Sequence, residues 1–190
     1  MNHRPSVLLA AAVVTVLGLS AGPRHAGASL VEALDLRELT ALSNRVVIGE
    51  VLSVRSQWDK DHKRIFSTME IQVAEVWKGT PPSGGRITVQ QLGGSVGDIE
   101  MKVHGLSRFE AGERAVLFLA GGDRASSLVG LGQGRRPLRF DGARRSWMVD
   151  GGDRSAVVTV QPGGGFLPAP AIPAVTLETL RQHVRALVQR

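Results

Sequence analysis

The chain has no cysteine and no tyrosine. Without cysteine there are no disulfides, no thiol nucleophile, no thiolate metal site and no lipid attachment through a thiol. Aromatic residues make up only 4% of the 190 residues. The stacking surfaces that accompany basic patches in nucleic-acid binders are therefore scarce, and nucleic acid is not an expected partner. Long apolar runs are missing after the first 20 residues, whereas a spanning helix needs about 20 apolar residues in succession. No transmembrane segment is expected once the first segment has been removed.

That first segment has three parts. A short, weakly basic start contains Arg4, an uncharged apolar run covers 7–19, and Ala26-Gly27-Ala28 offers a small-x-small site. Together they read as a cleavable secretory signal over 1–28. An uncleaved anchor is the alternative, but the run is short, and Pro23 and Gly27 break a helix early. The expected location is secreted or periplasmic. The whole chain carries +6; loss of Arg4 and Arg24 with the leader leaves 21 basic against 17 acidic residues, about +4. A modest positive balance favours anionic surfaces as partners.

The remainder, 29–190, has the length of a single domain. Asp35 and Glu38 form a capping-box pattern, with Leu34 and Leu39 at staple positions, and predict a short helix over 36–44. Val46 to Val54 is β-branched, and its inward set is expected to change phase near Gly49-Glu50, as at a bulge. Residues 59–63 read as a hairpin loop. Ile65 to Trp77 alternates, with Met69, Ile71 and Val73 on one face. Residues 78–85 make a turn, 86–92 a strand and 93–97 a flexible glycine loop. Ile99 to Val103 is a further strand candidate. Ala115 to Leu119 predicts a strand buried on both sides. Shorter strands are expected over 128–131, 138–140, 147–149 and 156–160, with 138–140 and 147–149 paired across Asp141-Gly142. The organisation expected is a β-barrel domain over 29–161, a Pro/Gly-rich linker over 162–175 and a C-terminal amphipathic helix over 176–190, capped by Thr176 and docked on the barrel.

Few residues point to chemistry. Gly93-Gly94-Ser95-Val96-Gly97 matches the G-x-S-x-G pattern of a hydrolase nucleophile elbow, which needs a strand, a strained turn and a helix in succession. The helix is not predicted here, and the only bases on offer are His104 and His183. Ser95 is therefore a minor catalytic candidate. His62, His104 and His183 fall in three separate elements, and Asp59, Asp61 and His62 share a loop that lacks the calcium-loop pattern. No metal and no cofactor are expected. Arg135, Arg136, Arg139, Arg144 and Arg145 form the densest basic group. They are the ligand-binding candidates for a carboxylate, phosphate or sulfate group; the competing reading is a charged edge strand that resists aggregation.

The order Val46-Val47-Ile48-Gly49-Glu50-Val51, Trp77-Lys78-Gly79, Gly93-Gly94, Phe109-Glu110-Ala111-Gly112-Glu113, Val116-Leu117-Phe118-Leu119 and Val129-Gly130-Leu131-Gly132-Gln133-Gly134 resembles a family of uncharacterised exported proteins of Gram-negative bacteria. It spans about 35–134, and the family has no assigned activity to carry over. A looser resemblance links the bent glycine strand to the netrin and tissue-inhibitor-of-metalloproteinase type of module, an OB-like barrel. Those inhibitors place an N-terminal cysteine on a protease zinc, which this chain lacks, so the resemblance implies the barrel alone. The expected fold is mainly β: an OB-like closed or partly open barrel with a short N-terminal helix and a C-terminal amphipathic helix. The expected function is non-catalytic binding of a protein partner or an anionic envelope component. A serine hydrolase using Ser95 and a structural or assembly partner in the envelope are the alternatives.

Overall fold

Strand β1 (Val31–Glu32) leads into helix α1 (Leu36–Leu42), which starts as its sequence predicts. The Asp35 carboxylate accepts from the Glu38 amide and the Glu38 carboxylate from the Asp35 amide, both at 2.7 Å. Such a cap is worth about 1 kcal/mol. The helix ends at Leu42, where Ser43 Oγ donates back to the Leu39 carbonyl at 2.6 Å. The Lys78 ammonium, donating to the Thr40 carbonyl at 2.6 Å, sits at the negative end of the helix. The computed structural model describes residues 31–122, 125–162 and 164–189; the leader expected over 1–28 lies outside them.

Two long strands follow, β2 (Arg45–Trp58) and β3 (Ile65–Lys78), joined by the expected polar hairpin loop. Strand β4 (Arg86–Leu92) continues the antiparallel order beside β3. The segment expected as a flexible glycine loop is instead a small hairpin of β5 (Gly94–Val96) and β6 (Ile99–Met101), turning at Gly97-Asp98. Then come β7 (Arg114–Gly121) and β8 (Ser126–Leu128). The strand expected over 128–131 stops at Leu128. Gly130 and Leu131 take φ of 62° and 57°, and a tight turn at 131–134 follows. Strands β9 (Arg135–Asp141) and β10 (Ser146–Val149) pair as the expected hairpin, Phe140 opposite Trp147. Strands β11 (Val157–Val160), β12 (Phe166–Pro168) and β13 (Val175–Thr176) precede helix α2 (Leu177–Val188). Within the Pro/Gly-rich stretch, β12 pairs with β11 and β13 with β10.

The molecule is thus mainly β, with eight strands in its largest sheet. Its pairing pattern follows from β7. One edge of β7 pairs with β2. The other edge is divided: Ala115 to Leu117 pair with β9, and Leu119 to Gly121 pair with β8. Strand β8 also meets β4 in parallel, at Val89 and Ser126. Each of β2, β3, β4, β8 and β7 therefore has a hydrogen-bonded neighbour on both sides. The β9 branch leads outward to β10 and β13.

Burial explains why β7 reads as a continuous apolar run. Ala115, Leu117 and Leu119 face a cluster with Val47, Val51, Met69, Ile71, Ile87 and Val89. Val116 and Phe118 face a second cluster with Leu39, Val46, Trp77, Val149, Leu180 and Val184. A strand buried on both faces cannot alternate apolar and polar residues. Helix α2 closes the second cluster with Leu180 and Val184, which supply about 1.5–3 kcal/mol each. Arg181 adds a bidentate pair to Glu75 of β3 at 2.9 and 3.1 Å, a smaller contribution because both groups stay partly in solvent.

The phase change in β2 lies later than the sequence predicts. Val47 and Val51 share one face, and the pairing steps from Val51 opposite Ile71 to Ser53 opposite Glu70, leaving Leu52 as the extra residue. At Gly49 the irregularity belongs to β3, where Ala74 is skipped. Gly49 instead makes room for its neighbour, since a Cβ there would lie 2.3 Å from Ile71 Cγ2. Gly49→Ala is therefore expected to cost about 1–3 kcal/mol through overpacking, read by urea unfolding. Combining it with Ile71→Ala should give less than the sum of the two losses.

Candidate anion-binding site

Strand β9 leaves the tight turn at 131–134 with two successive arginines, and its pairing to β7 sends them to opposite faces. Arg135 lies opposite Leu117, which faces the first cluster, and Arg136 lies opposite Val116, which faces the second. Arg135 is neutralised from inside: it pairs with Glu113 and lies over the Phe109 ring at 5.1 Å. Burial pushes its guanidinium down from the ordinary range, while Asp153 and Glu110 pull it back up.

Arg136 is different. It is 6% exposed. Burial first, and then the neighbouring Arg154 charge, bring its guanidinium down to about 10. No carboxylate forms an ion pair with Arg136 or Arg154 among the described residues. Arg154 has buried Nε and Nη1 atoms with no hydrogen-bond partner. The buried Arg136 thus has the half-buried Arg154 as a like-charged neighbour and no ion-paired carboxylate among the described residues. A lone buried charge is among the most destabilising features a fold can carry.

Arg154 lines a cleft of about 430 Å³ with Pro137, Gly151, Gly152 and Ile172, and Arg136 lies behind this wall rather than in its lining. Asp150 also lines it, with its carboxylate engaged by Arg139 Nε at 3.3 Å. Gly152, at φ 78°, brings the wall close to β9: a Cβ there would fall 2.6 Å from the Arg135 carbonyl oxygen and 3.5 Å from Arg136 Cδ. A larger residue at 152 would displace the backbone that carries both arginines. Planar guanidinium groups of this kind match carboxylate, phosphate and sulfate oxygens through paired N–H donors.

The five arginines singled out by sequence do not form one patch. Arg135 and Arg136 lie inside, while Arg139, Arg144 and Arg145 lie on the exposed β9–β10 hairpin. Arg139 is held by Asp150, and Arg144 by Asp141 through both its amide, at 3.1 Å, and its side chain, at 2.7 Å. Arg145 takes a left-handed φ of 49° in the turn and is exposed. Arg154 was absent from the sequence candidates because it stands alone in a loop, 18 residues beyond Arg136. The available signal was a cation following the double glycine Gly151-Gly152. The exposed edge-to-face pair of Phe140 and Trp147, with centroids 5.5 Å apart, was also not singled out.

Ser95 sits on β5 opposite Glu100, and the next element is β6 rather than a helix. The strand–turn–helix context of a nucleophile elbow is therefore not formed. Ser95 and His104 line one larger cavity, but no hydrogen bond joins them among the described residues. His183 is an exposed residue of α2, and His62 stacks on Trp58 at the tip of the β2–β3 hairpin.

The desolvated guanidinium gives a stability test. A base whose folded pKa is depressed destabilises the fold wherever it is still charged, so the penalty at Arg136 is in force below about pH 10 and lifts only above it. Arg136→Met removes the charge and keeps an apolar stem. It should raise the unfolding free energy of the ligand-free chain at pH 7 by about 1–3 kcal/mol. Urea unfolding checks this; a fall of similar size would mean that an acidic partner already balances Arg136. Compared with known proteins, the chain matches no family model and no curated protein.

Proposed function

We propose that this chain is an exported, non-catalytic binding module. Its OB-like barrel presents Arg154, backed by the buried charge of Arg136, to a ligand bearing a carboxylate, phosphate or sulfate group. The reading of the barrel rests on the ring of pairings β2–β3–β4–β8–β7–β2, with its single parallel step between β4 and β8; five strands in that circuit are what an OB-like barrel requires. The export reading rests on the leader pattern in residues 1–28.

One observation carries the functional reading: the buried, unpartnered Nε and Nη1 of Arg154 beside an Arg136 that has no counter-charge. A bound oxyanion satisfies those donors and offsets the repulsion between the two cations. Charge-assisted hydrogen bonds of this type are roughly twice as strong as neutral ones. Between the two partner classes expected from sequence, this favours an anionic group, whether free, on an envelope component or on a protein. Arg139 and Arg144, already matched by Asp150 and Asp141, contribute little to it.

Thermal unfolding with added inorganic phosphate, sulfate or succinate, at constant ionic strength set with chloride, tests the reading. Stabilisation should grow with anion concentration as binding to the native state requires, by about 1.4 kcal/mol at ten times the dissociation constant. That corresponds to a rise in Tm of several degrees. Arg154→Ala and Arg136→Met should abolish the rise, and Arg145→Ala should leave it intact. Equal stabilisation by chloride, or loss of the effect in Arg145→Ala alone, would overturn the assignment.

A further inference from the structure

The larger cavity has a different chemistry from the arginine cleft, with which it shares Ser155. It encloses about 750 Å³ between the β2–β3 hairpin, the end of β4, the β5–β6 hairpin and the loop at 102–111. That volume lies within the range of small-ligand sites. Glu100, Lys102, Arg108 and Glu110 lie on its exposed rim, where Glu100 pairs with Lys102 at 3.3 Å and with Arg108 at 3.7 Å, and the half-buried Asp153 lines one side. The cavity's buried lining includes Ser67, Ser107, Met69 and Phe109, with Gln91 beside them, and these groups are uncharged.

The hydrogen bonds of that lining can be assigned in direction. Ser67 Oγ donates to the Gly93 carbonyl at 2.7 Å, so the 2.9 Å contact between Ser56 and Ser67 runs from Ser56 to Ser67. Those two protons are committed within the fold. Gln91 Nε2 donates to the Ser107 carbonyl at 2.9 Å, which fixes the amide and turns Oε1 away as an acceptor. Gln91 Oε1 is buried and has no partner. Ser107 Oγ, in a residue 3% exposed, is likewise without a partner. A ligand that supplies the missing partners removes the desolvation penalty of both groups.

The required ligand groups follow from this inventory. Gln91 Oε1 needs a donor, and Ser107 takes either a donor or an acceptor. A carboxylate or phosphate offers only acceptors and would face Gln91 Oε1 with like partial charge. Hydroxyl groups supply both roles, and Met69 and Phe109 offer an apolar surface to the carbon skeleton between them. We infer that this cavity is a second binding site, for a neutral polyhydroxylated ligand of the short-saccharide class, held by Gln91 and Ser107.

Titration calorimetry of the full chain with maltotriose, cellotriose and N-acetylchitotriose tests the inference. At least one neutral trisaccharide should bind at millimolar concentration or better. Gln91→Ala and Ser107→Ala should each weaken it about ten-fold or more, while Arg145→Ala, on the exposed hairpin, should leave it unchanged. Hydrogen exchange of the wild-type chain reads the same contact without a substitution: the sugar should protect amides within 93–108. The inference is overturned if no neutral trisaccharide binds, if binding survives both substitutions with no protection of 93–108, or if the cavity takes only acidic sugars or peptides.

Discussion

Strand β7 has three hydrogen-bonded neighbours, because its second edge is divided lengthwise between β9 and β8. Both of its faces are buried. Leu117 and Leu119 complete the cluster enclosed with β2, β3 and β4, and Val116 and Phe118 complete the one beneath α1, α2 and β10. The fork also fixes where the chain can carry polar functions. Along the shared edge β9 has no solvent-facing side on which to place Arg135 and Arg136. The pleat therefore sends one to each face, and each must be dealt with separately.

The two arginines illustrate different outcomes of the same burial. Arg135 meets Glu113 and the face of Phe109, so its charge is matched within the fold. Arg136 meets Arg154. The first arrangement holds the 109–113 loop to β9. The second leaves two like charges together with no ion-paired carboxylate among the described residues, which is what the proposed anion site rests on. Gly152 permits this closeness because its φ of 78° and missing side chain let the loop wall approach the backbone of β9.

Much of the architecture was legible because it depends on local chemistry. The Asp35–Glu38 cap, the apolar stripe of α2, the alternation of β3 and the turn residues at 59–63 and 78–85 are governed by neighbours close in sequence. The run Ala115 to Leu119 announced burial on both sides through its lack of alternation. Three features were misplaced. The phase change expected at Gly49 occurs at Leu52, because the bulge is set by the register against β3. Glycines 93–97 form half of a hairpin rather than a loop, because the turn at Gly97-Asp98 folds 94–96 back onto the strand expected from Ile99. The strand expected over 128–131 gives way to a turn because Gly130 and Leu131 adopt positive φ.

The candidate site divides along the same line. Composition and spacing were enough to concentrate positive charge at 135–145, to remove thiol chemistry and to leave Ser95 without a following helix. They could not sort the five arginines, since sorting depends on which strand pairs with β9 and at what register. Nor could they join Arg154 to Arg136, or place Gln91 and Ser107 around one cavity. Those associations link groups 16 or more residues apart, and it takes the long-range strand pairing to bring them together. Local propensity acts over a few residues, whereas the cost of an unmatched buried charge or hydroxyl is set by whatever the completed fold places beside it.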